Sequence, residues 1–556
     1  MNEHVLDITK LSSDQTKKLN AIAESSRCSY TSFIDKLSEF NLENEFWWIT
    51  PLVSRESSQC EAFYNYCVLR LIIDELNCNR LFTKVVVPNK TLKKALRRNG
   101  VCKQRIEVKE DLKGVLKRCF SGVYKKYVLK KIKKRVDIIK RNVNTVELPD
   151  EEKFVLVDTY FIPSQFASNK YKDRYFEGLS QYCDENIVFF GQLEFIDEND
   201  GITLAKNVSD LQNTVVFQSL IENNDFNKVK EYMESSKDFN LSNCKWENLN
   251  LYDIVYNAVV AGECNSTAIY GVLKGIVIER IISNYNISKI VGWYEGQPSS
   301  NGLFARARKV APSIPTIAYE YTPCPENNIG MYPSKLQNKE KKVAEYYAVG
   351  GYAWLELVKQ FDIKTKCAVA PDFRHGNIKI VEQKKQSDDV IIILSGVYEI
   401  AVSQLKCSIA ELIEKGYKRV YIKNHPVYDK YDLRDYGIEI REDRIEIRFV
   451  GGLLEDAIRN IGIAIISESS TSLELLLQSI NLINFVPPGK LSSVCVPQKY
   501  MNSVVIAYSS DDIGEALEYY KSATVLRDNL SIMRENVFEK VNQKSVNSMF
   551  ILENYS

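Results

Sequence analysis

At 556 residues, 45% of them apolar and 26% charged, the chain is too long for one hydrophobic core and too apolar to be disordered or fibrous, so two domains are expected. Its 73 basic and 72 acidic residues leave a formal net charge of +1, which argues against a whole-molecule polyanion binder and leaves local patches to be read separately. The cysteines number thirteen, an odd count with no CxxC pair, beside only three histidines; this reads as a reducing compartment with no structural zinc site.

The N-terminus, MNEHVLDITKLSSDQ, lacks a basic leader followed by an apolar run, and no stretch is apolar for long enough to span a bilayer, so a cytoplasmic location is expected. From about residue 45, apolar helices alternate with short β-branched runs, as in NYCVLRLIIDELN and then KVVVPNKTLKKALRRNG, a strand, a turn and a helix closed by Asn99-Gly100. Between Lys113 and Arg141 twelve Lys or Arg stand against one acid, Asp137. That run reads either as a solvated helix face or as a basic amphipathic helix on an anionic membrane. It has no stacking or groove-reading motif, so nucleic acid is not an expected partner. KFVLVD, NIVFFG, SKIVGW and PTIAY are further strands, most of them followed by polar or Pro-containing loops and helical patterns. The first domain is expected to reach about residue 380, with VEQKKQSDD as the hinge.

A second βα series opens at DDVIIILSG. Ser408 and Glu411 form an expected capping box for SIAELIEKGYK, which Gly416 closes before the strand RVYIK. IGIAIIS and INLINFV follow as strands, with Thr471 and Glu474 as a second expected capping box between them. The expected fold class is therefore α/β, with two Rossmann-like doubly wound domains facing a cleft, the GT-B-like layout. The divisions are residues 1–380 on the acceptor side, 381–510 for nucleotide binding, and a helical tail over 511–556.

In doubly wound sheets ligands bind outside the carboxyl ends of strands, and three motifs fall there. Glu295 follows KIVGW in GWYEGQPSSNG. His425 follows RVYI in KNHP, set before Pro426, whose fixed φ and missing N–H end the strand. Ser467, Ser469, Ser470 and Thr471 lie in SESSTSLELL between a strand and a helix. Hydroxyls and free N–H groups at a helix start make a phosphate cradle, although plain N-capping needs only one of them. An imidazole beside them can donate a hydrogen bond to the phosphate or protonate it as a sugar leaves; otherwise it is a packing residue. Glu295 reads as a base toward an acceptor hydroxyl, or as a solvated loop carboxylate. Arg306 and Arg308 in LFARARK are substrate-binding candidates for an anionic sugar or phosphate, against the commoner reading of surface arginine.

The ordered set YEGQP, KNHP and SESSTSLELL resembles bacterial transferases that use CMP-activated acidic sugars, among them sialyltransferases and the Kdo transferases of capsule and O-antigen assembly. The match spans about residues 285–490, and the first 280 residues agree in rhythm only. The resemblance implies that His425 contacts the CMP phosphate, that Ser469 and Ser470 bind it, that Glu295 is the catalytic carboxylate and that Glu455 holds the ribose. It implies a CMP-sugar donor, a glycan or lipid-linked acceptor, and no cofactor or metal, while the basic run 113–141 adds the expectation of peripheral contact with an anionic inner membrane face. Retaining β-Kdo transferases place an Asp nucleophile near the first strand of the second domain, where IIILSGVYE has Ser395 and Gly396; this favours direct inverting attack with Glu295 as base. Competing readings are a CDP-polyol phosphotransferase of teichoic-acid type, which would need a second imidazole with His375 as the spare, a non-catalytic assembly partner, and a sugar-nucleotide epimerase.

Overall fold

The β-branched runs assemble into three all-parallel sheets. A computed structural model describes residues 4–79, 81–109, 121–143, 152–166, 171–320, 325–381, 389–428, 430–439, 444–467, 469–522 and 530–555. The first sheet has three strands, in the order β1 (Val5–Asp7), β2 (Lys84–Val87) and β3 (Arg105–Val108). With it come helices α1 (Ser13–Ser38), α2 (Ala62–Cys78) and α3 (Lys90–Arg98). α1 starts where Ser12 and Gln15 exchange side-chain and backbone hydrogen bonds, a reciprocal cap of the kind that fixes a helix start.

Helix α4 (Ser121–Asn142) carries the basic run; residues 113–120 of that run lie outside the described residues. Val128, Ile132, Val136 and Ile139 are buried, a helical stripe docked into the protein. Lys125 pairs with Glu263 at 2.7 Å and Lys134 with Glu198 at 2.8 Å. The apolar face is thus committed to the core and not free to enter a bilayer, while Lys126, Lys130, Lys131, Lys140 and Arg141 stay exposed.

The second sheet holds β4 (Phe154–Phe161), β5 (Ile187–Leu193) and β6 (Thr214–Val216). After a hairpin, β7 (Lys245–Trp246) and β8 (Leu249–Asn250), and helix α5 (Ser266–Asn284), the chain re-enters the sheet beside β4 as β9 (Ile287–Tyr294). It then runs outward on the other side through α6 (Pro298–Val310), β10 (Thr316–Glu320), β11 (Tyr346–Val349), α7 (Tyr352–Phe361) and β12 (Lys366–Val369). The order β12-β11-β10-β9-β4-β5-β6 reverses direction between β4 and β9. α5 and α6 meet backbone to backbone: a Cβ on Gly302 would lie 2.2 Å from the Gly271 carbonyl oxygen, so glycine is required at this crossing.

The third sheet has the order β15-β14-β13-β16-β17-β18, with its reversal between β13 and β16. Its elements are β13 (Val390–Ile393), α8 (Tyr398–Glu414), β14 (Arg419–Lys423), β15 (Glu446–Phe449), α9 (Leu454–Ala457), β16 (Ile463–Ile466), α10 (Thr471–Leu477), β17 (Asn481–Phe485) and β18 (Val504–Ala507). Alternate residues serve two cores: Val390, Ile392, Ile463 and Ile465 pack on one face, Ile391, Ile393, Ala464 and Ile466 on the other. A parallel sheet covered on both faces explains why these strands read as unbroken apolar runs.

Both expected capping boxes fail. α8 starts at Tyr398, ten residues before Ser408, which is fully buried in mid-helix; the apolar stripe upstream is strong enough to extend the helix. At α10 Ser470 takes the cap position without a side-chain bond, Thr471 is already helical, and Glu474 reaches another partner. Most of the expected hinge, 382–388, lies outside the described residues. Beyond β18, α11 (Ser510–Ser522) packs on the third sheet, α12 (Leu530–Val537) touches α7 and α10, and α13 (Gln543–Ser548) returns to the second sheet's side, where Asn547 donates to Asp184 at 2.6 Å. Among the described residues no helix is long and apolar enough to cross a membrane.

Candidate functional site

The loops leaving β14, β13 and β16 share one edge of the third sheet, because those strands are parallel neighbours. His425 lies over Gly396: a Cβ there would sit 3.0 to 3.1 Å from three atoms of the imidazole. The Val427 N–H donates to His425 Nδ1 at 3.3 Å, which places the ring proton on Nε2. Burial, and then the positive charge of Arg174, lower the His425 pKa. The shift favours the neutral imidazole, a hydrogen-bond donor through Nε2. Arg174 lies in the loop between β4 and β5, so its field on His425 spans the space between the second and third sheets. Pro426 opens a short exposed turn, Pro426–Tyr428.

Ser467 and Ser472 are buried, and neither hydroxyl has a partner among the described residues. Ser469 Oγ is 2.6 Å from Thr471 Oγ1 and accepts from the Thr471 N–H at 3.2 Å. With only seven residues in α10, hydroxyls and local N–H groups, more than a macrodipole, would hold an anion here. Ser395 at the end of β13 is buried and accepts from the Val397 N–H at 3.0 Å. Glu455 is exposed on α9, just past the loop whose Gly452 carbonyl accepts from Lys423 at 2.7 Å.

Across the cleft, Glu295 follows β9 directly, half-buried, with the Gln297 amide 3.4 Å from its carboxylate. Gly296 next to it has φ +77°, and a Cβ there would lie 2.3 Å from the Gly330 backbone. Beside Glu295, at the end of β10, stands a residue that motif reading passed over. Glu320 pairs in register with Tyr294, is 8% exposed, and has Oε1 without a partner among the described residues. Burial, then the negative charges of Asp372 and Glu295, push its pKa up to about 8. A carboxyl kept protonated next to a second carboxyl is a common way for one site to hold a proton donor and a proton acceptor together. Its sequence signal was slight, a lone acid closing the apolar run TIAY.

Two expected residues are elsewhere. Arg306 is paired with Glu279 through its Nε at 2.8 Å and with Glu45 at 3.7 Å, and Arg308 donates to the Val343 carbonyl at 3.0 Å. Both line a separate groove that includes Trp48 and Lys342 and does not include Glu295 or His425.

His375 joins the two sheets' domains. It is 1% exposed, stacks on Phe538, and sits with Nδ1 3.2 Å from Asp372 and Nε2 3.2 Å from Glu474 of α10. Burial by itself would lower its pKa, but Asp372 and Glu474 outweigh that and raise it. Nearby, the Gln478 amide donates to the Lys379 carbonyl at 2.7 Å. These are contacts of a latch.

Glu295 follows β9 at the reversal of one sheet with Glu320 on the adjoining β10, and Gly396 and the serines follow β13 and β16 at the reversal of the other with His425 on the adjoining β14. No family model matches the chain, and no curated protein matches it. Solved structures similar to it include a UGT transferase from Siraitia grosvenorii in complex with UDP (TM-score 0.41, 8% identity, 72% of this chain and 99% of that one), a glycotransferase of kitacinnamycin (0.40, 8%, 72% and 98%) and MurG from Acinetobacter baumannii (0.38, 10%, 72% and 99%). Likenesses this distant say nothing of donor or acceptor, and the α/β architecture of two doubly wound parallel sheets stands on the strand order itself.

Proposed function

We propose that the protein is a glycosyltransferase that moves an acidic sugar, Kdo or a nonulosonic acid, from a CMP-sugar to a growing lipid-linked surface glycan. The observation that supports this best is that the motif residues follow strands at or next to the reversal points of both sheets, with Arg174 of the second sheet's loops near enough to act on His425. On one wall the Nε2–H of His425 and the hydroxyls of Ser467, Ser469, Ser470 and Thr471 are donors suited to a phosphate. Arg174 adds a positive charge from the facing domain. As the sugar–phosphate bond lengthens, charge builds on the departing phosphate, and fixed donors then bind it more tightly than they bind the ground state.

On the other wall Glu295 removes the proton from the attacking hydroxyl. Glu320, held protonated, spares the site a further negative charge and can donate a hydrogen bond to the acceptor. A single displacement with inversion follows, since Ser395 and Gly396 occupy the position where a carboxylate nucleophile would be needed. Glu455 is the ribose ligand in this reading, and the donor needs no cofactor. His375 is committed to the latch, so a phosphotransferase that relies on a second imidazole is the weaker reading. The exposed lysines of α4 give the protein a peripheral hold on an anionic inner membrane face, which flotation with anionic against neutral liposomes tests.

Thermal stabilisation by CMP, CDP, UDP, GDP and CDP-glycerol tests the donor. CMP at about 100 times its Kd should add about 2.7 kcal/mol to apparent stability, and His425→Ala should keep the fold and lose that gain. Selective stabilisation by CDP-glycerol would transfer the assignment to the phosphotransferase. No shift with any nucleotide would leave a non-catalytic partner.

A further inference from the structure

A second cavity opens at the β4–β9 reversal, next to Glu295 and distinct from the phosphate wall. Its volume is about 460 Å³, the size of a small-ligand site. Its wall is aromatic. Tyr175 stacks on Trp293 with centroids 4.8 Å apart, and Tyr160 meets the same indole edge-on at 5.0 Å. Tyr127 of α4, 58% exposed, stands on the rim.

The polar groups of this cavity are incompletely used. Gln192 is 1% exposed and Trp293 4%, yet Gln192 Oε1, Trp293 Nε1 and Gln297 Oε1 have no hydrogen-bond partner among the described residues. The other ends of both amides are occupied, Gln192 Nε2 by Glu194 at 2.6 Å and Gln297 Nε2 by Glu295 at 3.4 Å. Burying an amide oxygen or an indole N–H unpaired is costly, and three such atoms around one cavity mark a place where a ligand completes the set. Two acceptors and one donor between flat aromatic faces match a pyranose ring, whose hydroxyls both give and accept and whose C–H face is apolar. Charge points to an uncharged ring, since Arg135 is already paired with Glu194 at 3.2 Å and Lys131 lies out in solvent.

We infer that this cavity binds a neutral hexopyranose, the terminal sugar of the acceptor, with the aromatic wall against its face and Gln192, Trp293 and Gln297 on its hydroxyls. Gln297 ties the cavity to Glu295, so a hydroxyl of the bound ring lies toward the base. Saccharide binding stands on the cavity alone; the role as acceptor rests on the transferase reading.

The test is saturation-transfer NMR on the full chain without nucleotide, using methyl glucoside, methyl galactoside and N-acetylglucosamine, with CMP titrated separately. At least one pyranoside should receive saturation from the protein. Gln192→Leu, which removes the buried acceptor and also the bond to Glu194, should weaken it about tenfold in a protein whose cooperative thermal transition confirms that it still folds. Tyr127→Ala, on an exposed rim, should also weaken it in a folded protein. Transfer to no pyranoside, or transfer unchanged in both variants, overturns the inference. CMP binding without sugar binding would sink the pocket and spare the transferase reading, and sugar binding without nucleotide binding would do the reverse.

Discussion

Replacing Glu320 with Gln isolates the most perturbed carboxyl of the cleft. Its pKa moves from an ordinary 4.5 to about 8 on folding, first through burial and then through the charges of Asp372 and Glu295. At about 1.4 kcal/mol per pH unit this displacement corresponds to about 5 kcal/mol between the two limits. The sign follows from proton counting: between those values the folded chain holds a proton on Glu320 that the unfolded chain has released, so stability is full below about 4.5 and is lost as pH rises through about 8. His375, also raised, acts in the same direction, so the informative quantity is the difference between variant and wild type. Urea unfolding midpoints at several pH values from 5 to 8.5 should show Glu320→Gln gaining on wild type as pH rises, by about 1.4 kcal/mol per unit. Parallel curves for the two proteins would refute the claim that Glu320 is protonated in the folded state.

Under the cavity wall, Lys274 Nζ lies 2.7 and 2.9 Å from the two oxygens of Asp158, with both side chains almost fully buried. Lys274→Met leaves that carboxylate uncompensated and should cost about 3 to 5 kcal/mol. Adding Asp158→Leu should recover most of this in the same urea assay, and a double variant no more stable than the single one would contradict the account. Ser408→Ala should be neutral or slightly stabilising in thermal melts, because the hydroxyl is buried without a partner; a loss of about 1 kcal/mol, as for a true cap, would argue the opposite.

Periodicity and turn chemistry determined much of this protein directly. Runs such as VIII and IAII could only be strands covered on both faces, and Pro426 and Gly416 set local boundaries through φ alone. The places where His425, Glu295 and the serines stand at strand ends were legible for the same reason, since each follows a short apolar run. Local rules failed at Ser408 and Thr471, where helix extension and a distant imidazole outcompeted the caps that sequence spacing suggested. Arg306 and Arg308 fall in a groove apart from Glu295 and His425, which their spacing in the sequence did not indicate.

Other features are set by tertiary structure because they depend on which loops meet. Strand order alone brings β13, β14 and β16 side by side, and cleft geometry alone sets Arg174 against His425. The pKa of Glu320 depends on burial and on two acids that lie 25 and 52 residues away in the chain. Unpaired atoms at Gln192, Trp293 and Gln297 exist only because folding removes water from two separate segments at once. Desolvation and long-range charge carry no period or spacing in a sequence, so they arise with the packed fold.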